Sequence, residues 1–207
     1  MEPKLAKLAW QLNLRNAPNH RLSPVMVMSD DKRLPDPAPA LQKLPLGSSL
    51  VFRHYHAPDR DKQALALRRL CHKLGHLFFV AADMTLALRL KADGLHMPGY
   101  TRKTGKTLLE CAKKHHLLVS AAIHDMAQLR HMIAMQNRID AAIISPVFAT
   151  QSHPGAPHLS AKDFGRMAQL AARNQIGVYA MGGIDFAHLQ RLDQKPICGI
   201  AGIGFAT

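Results

Sequence analysis

Directly after an apolar run, AAIISPVF, the chain reads ATQSHPGAPHLS, which gathers Thr150, Ser152, His153 and Gly155 at one strand end. Two hydroxyls and an imidazole there are donors and acceptors placed to meet a polar ligand. Arg53, in SLVFRHY, poses a sharper question. If it points inward at the end of its strand, the period-two alternation puts Val51 and Tyr55 on its face and turns Phe52 and His54 outward. A guanidinium inside a barrel then needs an anion or a carboxylate, because an unpaired buried charge is very costly. His124, in SAAIHDMAQL, and His96, in ADGLHM, sit at strand ends. Each is either a general acid or base or a histidine with no part in chemistry. His54 and His56 lack a third ligand at a supporting spacing, so packed or solvent-facing roles suit them better than a metal pair. Gly182 and Gly183 lead into a helix start at Asp185, and Gly199, Gly202 and Gly204 crowd the last apolar run. Such glycines either let main-chain N–H groups approach an anion at a helix N-terminus or only make tight turns.

The elements that must position these residues are short apolar runs alternating with longer amphipathic stretches, the pattern of strands that cross over through helices into a parallel sheet. Strands are expected at 24–30, 49–55, 76–81, 93–97, 117–122, 141–147, 177–182 and 197–202. Asp125, Ser160 and Asp185 stand where helix N-caps belong, and Pro58 and Asp59 open the helix through KQALALRRLCHKL. Eight parallel strands close on themselves and leave no edge, so the expected fold is a (β/α)8 TIM barrel in one domain, 1–207, with 1–20 as an N-terminal helical extension. The sequence ends just after the eighth strand, so a final C-terminal helix is not expected. Leu5, Leu8, Ala9 and Leu12, at helical spacing, could cover the resulting seam; a homodimer is the other way to cover it. The prolines in RLPDPAPALQKLP (33–45) should shorten or delay the first barrel helix.

A composition of 47% hydrophobic and 20% charged residues excludes disorder. No apolar run reaches a bilayer's width and the N-terminus has no signal-peptide pattern, so a cytoplasmic protein without membrane partners is expected. The cysteines, Cys71, Cys111 and Cys198, show no ligand spacing, which argues against disulfides and structural zinc. A net charge of +13 admits either nucleic acid or small anions as partners. The basic residues are spread over many helices without interleaved aromatics, which argues against nucleic acid and leaves small anionic substrates.

Taken together, ADGLHM (92–97), LLVSAAIHD (117–125), DAAIISPVFATQSHPGAP (140–157), VYAMGGID (178–185) and GIAGIG (199–204) resemble the thiamine phosphate synthase/TenI family in order and spacing. The resemblance implies a barrel that handles phosphorylated thiamine precursors. Synthases join an aminopyrimidine diphosphate to a thiazole phosphate with Mg²⁺ and expel diphosphate, whereas the TenI branch aromatises the thiazole phosphate by proton transfer. By position, Gly182, Gly183, Gly202 and Ile203 would hold the thiazole phosphate through backbone amides. Arg53 would match the arginine of strand two, Thr150 and Ser152 the hydroxyls after strand six, and His124 the acid/base of TenI-type tautomerases.

The chain also departs from the family. Ala81 and Ala82 stand where synthases have an Asn-Asp pair, Thr101 stands near the place of a second metal-binding carboxylate, and Tyr55 and His153 replace lysines. Mg²⁺ prefers carboxylate and phosphate oxygens, and a neutral His153 offers a departing diphosphate less charge than lysine would. The expected function is a divergent synthase that uses Mg²⁺ with unfamiliar ligands, with catalytic Arg53 and His153 on the diphosphate side together with Thr150 and Ser152; the alternatives are a tautomerase that needs no cofactor and uses His124 as its catalytic acid/base, and a non-catalytic barrel that binds a phosphorylated ligand.

Overall fold

The computed structural model describes residues 1–19, 21–99, 105–135, 139–150, 155 and 157–205. Its strands are β1 (Val25–Met28), β2 (Ser49–Phe52), β3 (Leu77–Ala81), β4 (Gly94–Met97), β5 (Leu118–Ile123), β6 (Ala141–Ile144), β7 (Gly177–Met181) and β8 (Gly199–Gly202). Each pairs in parallel with the next, and β8 pairs back to β1 to close the barrel. This is the expected (β/α)8 architecture. Five of the eight strands are buried along their whole length and the other three at all but one residue. That is why they read as continuous apolar runs rather than as an alternation.

Cross-strand neighbours fill the barrel by pairing bulk with absence. Phe79 lies opposite Gly94, and Tyr179 opposite Gly199. A β-carbon on Gly94 would sit 2.2 Å from the Phe79 ring, and one on Gly199 would sit 2.7 Å from the Tyr179 ring. Each aromatic thus takes the space its neighbour leaves, and burying such a ring contributes about 1.5–3 kcal/mol. The Tyr179 hydroxyl donates to the Ser23 carbonyl at 2.6 Å and closes the floor beneath β7.

Around the barrel run α1 (Pro3–Asn16), α2 (Ala38–Leu41), α3 (Arg60–Lys73), α4 (Met84–Arg89), α5 (Gly105–Lys114), α6 (Met126–Ala134), α7 (Ala161–Arg173) and α8 (Phe186–Gln190). Asp125, Ser160 and Asp185 cap α6, α7 and α8 as expected, each accepting a main-chain N–H three residues on. Asp59 does not: its carboxylate takes the Gln63 side-chain amide instead. The proline-rich connection contains only the single turn of α2.

No helix follows β8 among the described residues, and α1 takes up the seam. Leu5, Ala9 and Leu12 are buried in the shared core. Asn13 Nδ2 donates to the carbonyls of Leu22 and Cys198 at 3.0 and 2.8 Å, and Asn16 Nδ2 to that of Ile197 at 2.8 Å. Arg15 adds an ion pair to Asp193. The seam is therefore covered within one chain, by the stripe at helical spacing. Among the described residues, no helix is long and apolar enough to cross a membrane.

Candidate active site

An open cavity of about 970 Å³ occupies the C-terminal end of the barrel, the end at which barrels of this class carry their chemistry. Its lining comes from the loops after β1, β2, β5, β6, β7 and β8. No described residue of β3, β4 or their following loops lines it.

The β7 loop forms one wall. Gly182 and Gly183 have φ of +100° and +64°, left-handed conformations that glycine adopts without a Cβ penalty. They let the β6 loop come close: the N–H of Val147 donates to the Met181 carbonyl at 2.9 Å, and that of Phe148 to the Gly182 carbonyl at 3.2 Å. Among the described residues, the N–H groups of Gly183, Ile184 and Ile203 meet no main-chain carbonyl. These three N–H groups make a cradle of donors, as an oxyanion requires, and Gly202 and Gly204 line the same cavity beside them. Thr150 lies on the same wall, 3.1 Å from where a Gly182 β-carbon would be. Ser152 and His153 lie outside the described residues.

Arg53 also lines the cavity, and Phe52 and His54 face the helices, as the alternation requires. The Arg60 guanidinium lies 5.6 Å from the centre of the Phe52 ring. His54 is buried with both ring nitrogens engaged, Nδ1 with Gln63 Oε1 at 2.9 Å and Nε2 with the Leu34 carbonyl at 3.4 Å, so it offers no metal ligand. The carboxylate that Arg53 needs is Asp30, which accepts from Nη2 at 3.2 Å while Nε donates to the Ser29 carbonyl at 2.9 Å. Strand two stops at Phe52, short of the expected Tyr55, because the Arg53 N–H turns to the Ser29 hydroxyl at 2.9 Å. Tyr55 therefore lies beyond the ladder, half-buried against the core, and is not part of the cavity lining.

His124 stands on the cavity wall with its Nδ1 2.8 Å from the Ser145 carbonyl. A carbonyl only accepts, so Nδ1 carries the proton and the neutral ring keeps its basic lone pair on Nε2. The Cδ2–Nε2 edge of the ring lies 3.8 Å from where a Gly99 β-carbon would be. His96 is different. It is buried in the barrel with Nδ1 3.0 Å from the Ser120 hydroxyl, and burial, with the positive charge of Arg53 nearby, lowers its pKa from 6.5 to about 3. It is a neutral internal hydrogen-bonding group and not part of the cavity lining. A group depressed in this way costs stability as pH falls, because the unfolded chain takes up the proton first. The wild type should therefore be fully stabilised above pH 6.5 and weaken between there and about pH 3. Urea unfolding at pH 7 and pH 5 should show a smaller difference for His96→Gln than for the wild type; an equal difference in both would discount this role.

Asp30, Arg33, Ser145, Phe148 and His188 belong to the cavity lining and were not expected from the sequence. Phe148 stacks on the His188 ring with centroids 4.3 Å apart. Only Asp30 carried a readable signal, as a carboxylate just past the end of the first strand.

The end of β3 does not suit the metal that the family resemblance implies. Ala81 and Ala82 have no donor side chains, and Asp83 is spent: Oδ1 accepts the Leu86 N–H at 2.8 Å as the cap of α4, and Oδ2 meets Arg60 Nη1 at 2.6 Å. Arg60 also donates to the carbonyls of His54 and Ala81, which locks the β2 and β3 ends together on the helix side. Among the described residues there is no cluster of three or more His, Cys, Asp or Glu side chains able to hold an ion, and Thr101 lies outside them.

Comparison with known proteins agrees with this geometry at the level of family and fold. The family described as thiamine monophosphate synthase matches residues 39–205. A thiamine-phosphate synthase of Synechococcus sp. is 34% identical over 151 residues, 70% of this chain and 40% of that protein. A putative thiamine-phosphate synthase 2 of Aquifex aeolicus is 27% identical over 154 residues, 73% of this chain and 78% of that protein. The solved structure of a thiamine phosphate pyrophosphorylase from Pyrococcus furiosus superposes with a TM-score of 0.71 at 23% identity, over 93% of this chain and 88% of the other.

Proposed function

Because the chain belongs to the thiamine monophosphate synthase family, we propose that it binds a thiazole phosphate in the cradle after β7 and β8 and moves a proton on that ligand through His124, without a divalent metal. One observation carries the reading. The cavity joins the unspent N–H groups of Gly183, Ile184 and Ile203 to an imidazole whose base nitrogen is fixed, and it does not extend to the β3 end. Proton transfer between two carbons of a bound ring needs no oxidant: Nε2 removes one proton and, as imidazolium, returns one elsewhere. The glycine cradle fixes the phosphate and hence the distance between ring and imidazole.

A second reading, condensation of the thiazole phosphate with an aminopyrimidine diphosphate, is favoured by the cavity's Arg53 and by the names of the relatives. The two are separated by supplying folded protein with the non-aromatic tautomer of the thiazole phosphate in EDTA, and with both synthase substrates in Mg²⁺. Aromatisation in EDTA is the expected result. Thiamine phosphate formed only with Mg²⁺ would overturn it in favour of the synthase, and tight binding with no turnover in either assay would overturn both.

A further inference from the structure

We propose that the groove between α1 and α8, on the outside of the barrel, is a second ligand site that takes a small organic anion with a flat apolar body. It is separate from the cavity at the strand ends, with which it shares no lining residue.

The way α1 covers the seam creates the groove. Near its C-terminal end, Asn13 and Asn16 hold α1 to the carbonyls of Cys198 and Ile197 at the entry to β8, and Arg15 donates to both the carbonyl and the carboxylate of Asp193, just past α8. The two helices are thus clamped together at one end. The stripe Leu5, Ala9 and Leu12 goes into the core, which turns the adjacent stripe, Lys4, Lys7, Leu8 and Gln11, toward α8. Between that stripe and Phe186, Gln190 and Asp193 lies a cavity of about 360 Å³, within the usual size of a small-molecule site.

Its lining is amphipathic. Leu8 and Phe186, partly buried against the core, give it an apolar floor. The Lys4 and Lys7 ammoniums are exposed on its α1 side, and among the described residues no carboxylate lies within 4 Å of either. The one acid of the lining, Asp193, is already matched by Arg15. The side-chain amides of Gln11 and Gln190 make no hydrogen bond among the described residues, which leaves donors and acceptors for the polar end of a ligand. Two uncompensated cations beside an apolar floor are complementary to an anion that carries a ring. An inorganic ion would leave the floor bare, and a neutral apolar ligand would leave the ammoniums unmet. Phe186 opens α8 and is separated from the Gly183–Ile184 cradle by Asp185 alone, so a ligand seated on it bears on the helix that starts at the cradle. Each site should then change the other's affinity by the same factor. That coupling rests on the cradle holding a phosphate; the groove itself does not.

The test titrates 8-anilinonaphthalene-1-sulfonate, a sulfonate on an aromatic body whose fluorescence rises in apolar surroundings, into the full chain at increasing glycerol 3-phosphate. Salt at about 0.1 M limits the reach of distant charges to about 10 Å. The double change Lys4→Glu/Lys7→Glu should weaken probe binding by about tenfold or more, since two attractive contacts become repulsive, and Lys7→Arg should keep it within about threefold. Lys114→Glu/Lys162→Glu, exposed changes on α5 and α7, makes the same charge change elsewhere and should leave it within about twofold. An affinity indifferent to the Lys4 and Lys7 reversal, or lowered equally by the control, overturns the site. Displacement that grows without limit as glycerol 3-phosphate rises puts the probe in the barrel cavity and overturns it too. A dimer in sedimentation that the reversal converts to monomer gives the groove to a second copy and overturns the small-ligand assignment. A shift in probe affinity of about threefold that saturates with glycerol 3-phosphate supports the coupling, and no shift overturns the coupling alone. Failure of glycerol 3-phosphate to bind overturns the cradle, while the lysine variants still decide the groove.

Discussion

Replacing His124 by glutamine is expected to lower turnover of the non-aromatic thiazole phosphate tautomer by about 10²- to 10⁴-fold, the usual loss when a positioned acid/base is removed, while ligand affinity stays within about twofold. Glutamine keeps an amide N–H able to reach the Ser145 carbonyl but cannot shuttle a proton at neutral pH. Ser145→Ala makes the sharper companion. The acceptor 2.8 Å from Nδ1 is the Ser145 main-chain carbonyl, and its hydroxyl is a longer contact at 3.3 Å. The variant keeps the tautomer and should change the rate by less than about threefold. Steady-state rates of both variants, with phosphate-ester affinity measured in parallel, decide the matter. Full activity in His124→Gln would remove the imidazole from the reaction and leave the cavity a binding site.

Most of the barrel was legible because its strands are buried on both faces, and burial writes itself into the sequence as runs such as HLFFVA and AAIISPV. The strand ends were less legible. Alternation continues past the point where a ladder stops, and what ends β2 is a side-chain hydroxyl, Ser29, taking the Arg53 N–H from another strand. In the same way β6 ends at Ile144 because Pro146 brings no N–H to continue the ladder. The seam helix could be read because an apolar stripe must be buried somewhere, although the amides of Asn13 and Asn16 that fasten it could not.

The candidate site divides along the same line. The glycine cradle and His124 followed from residue type at a strand end, since few side chains suit those places. Arg53 raised the need for a partner, but Asp30, 23 residues earlier, became that partner only through the pairing of β1 with β2. Arg33 and His188 reached the cavity through loop closure and a short helix, for which a single sequence carries no pattern. Tyr55 was misread because it was counted as strand.

The largest structural effect is expected from Gly183→Val. At φ +64° an L-residue loses about 1–2 kcal/mol, and a β-branched side chain more. Space adds to that strain. A β-carbon at this position would sit 2.4 Å from the Ala149 carbonyl oxygen and 2.9 Å from Phe148 Cβ. The first of these is main chain, which cannot swing aside as a side-chain tip can, so the β6 loop must move. That loop carries Phe148 and Thr150 on the cavity wall, and its separation from Gly182 and Gly183 would break the cradle. Phosphate-ester affinity should fall by about 100-fold or more, equivalent to about 2.7 kcal/mol, and the unfolding midpoint should fall with it. Gly204→Ala supplies the contrast, because a β-carbon there meets nothing within 4 Å. It should fold like the wild type, so any loss of affinity in that variant would measure how closely the ligand approaches the β8 loop. If Gly183→Val binds glycerol 3-phosphate as tightly as the wild type, the phosphate is held elsewhere, and the site must be rebuilt around the cations of the β1 and β2 loops.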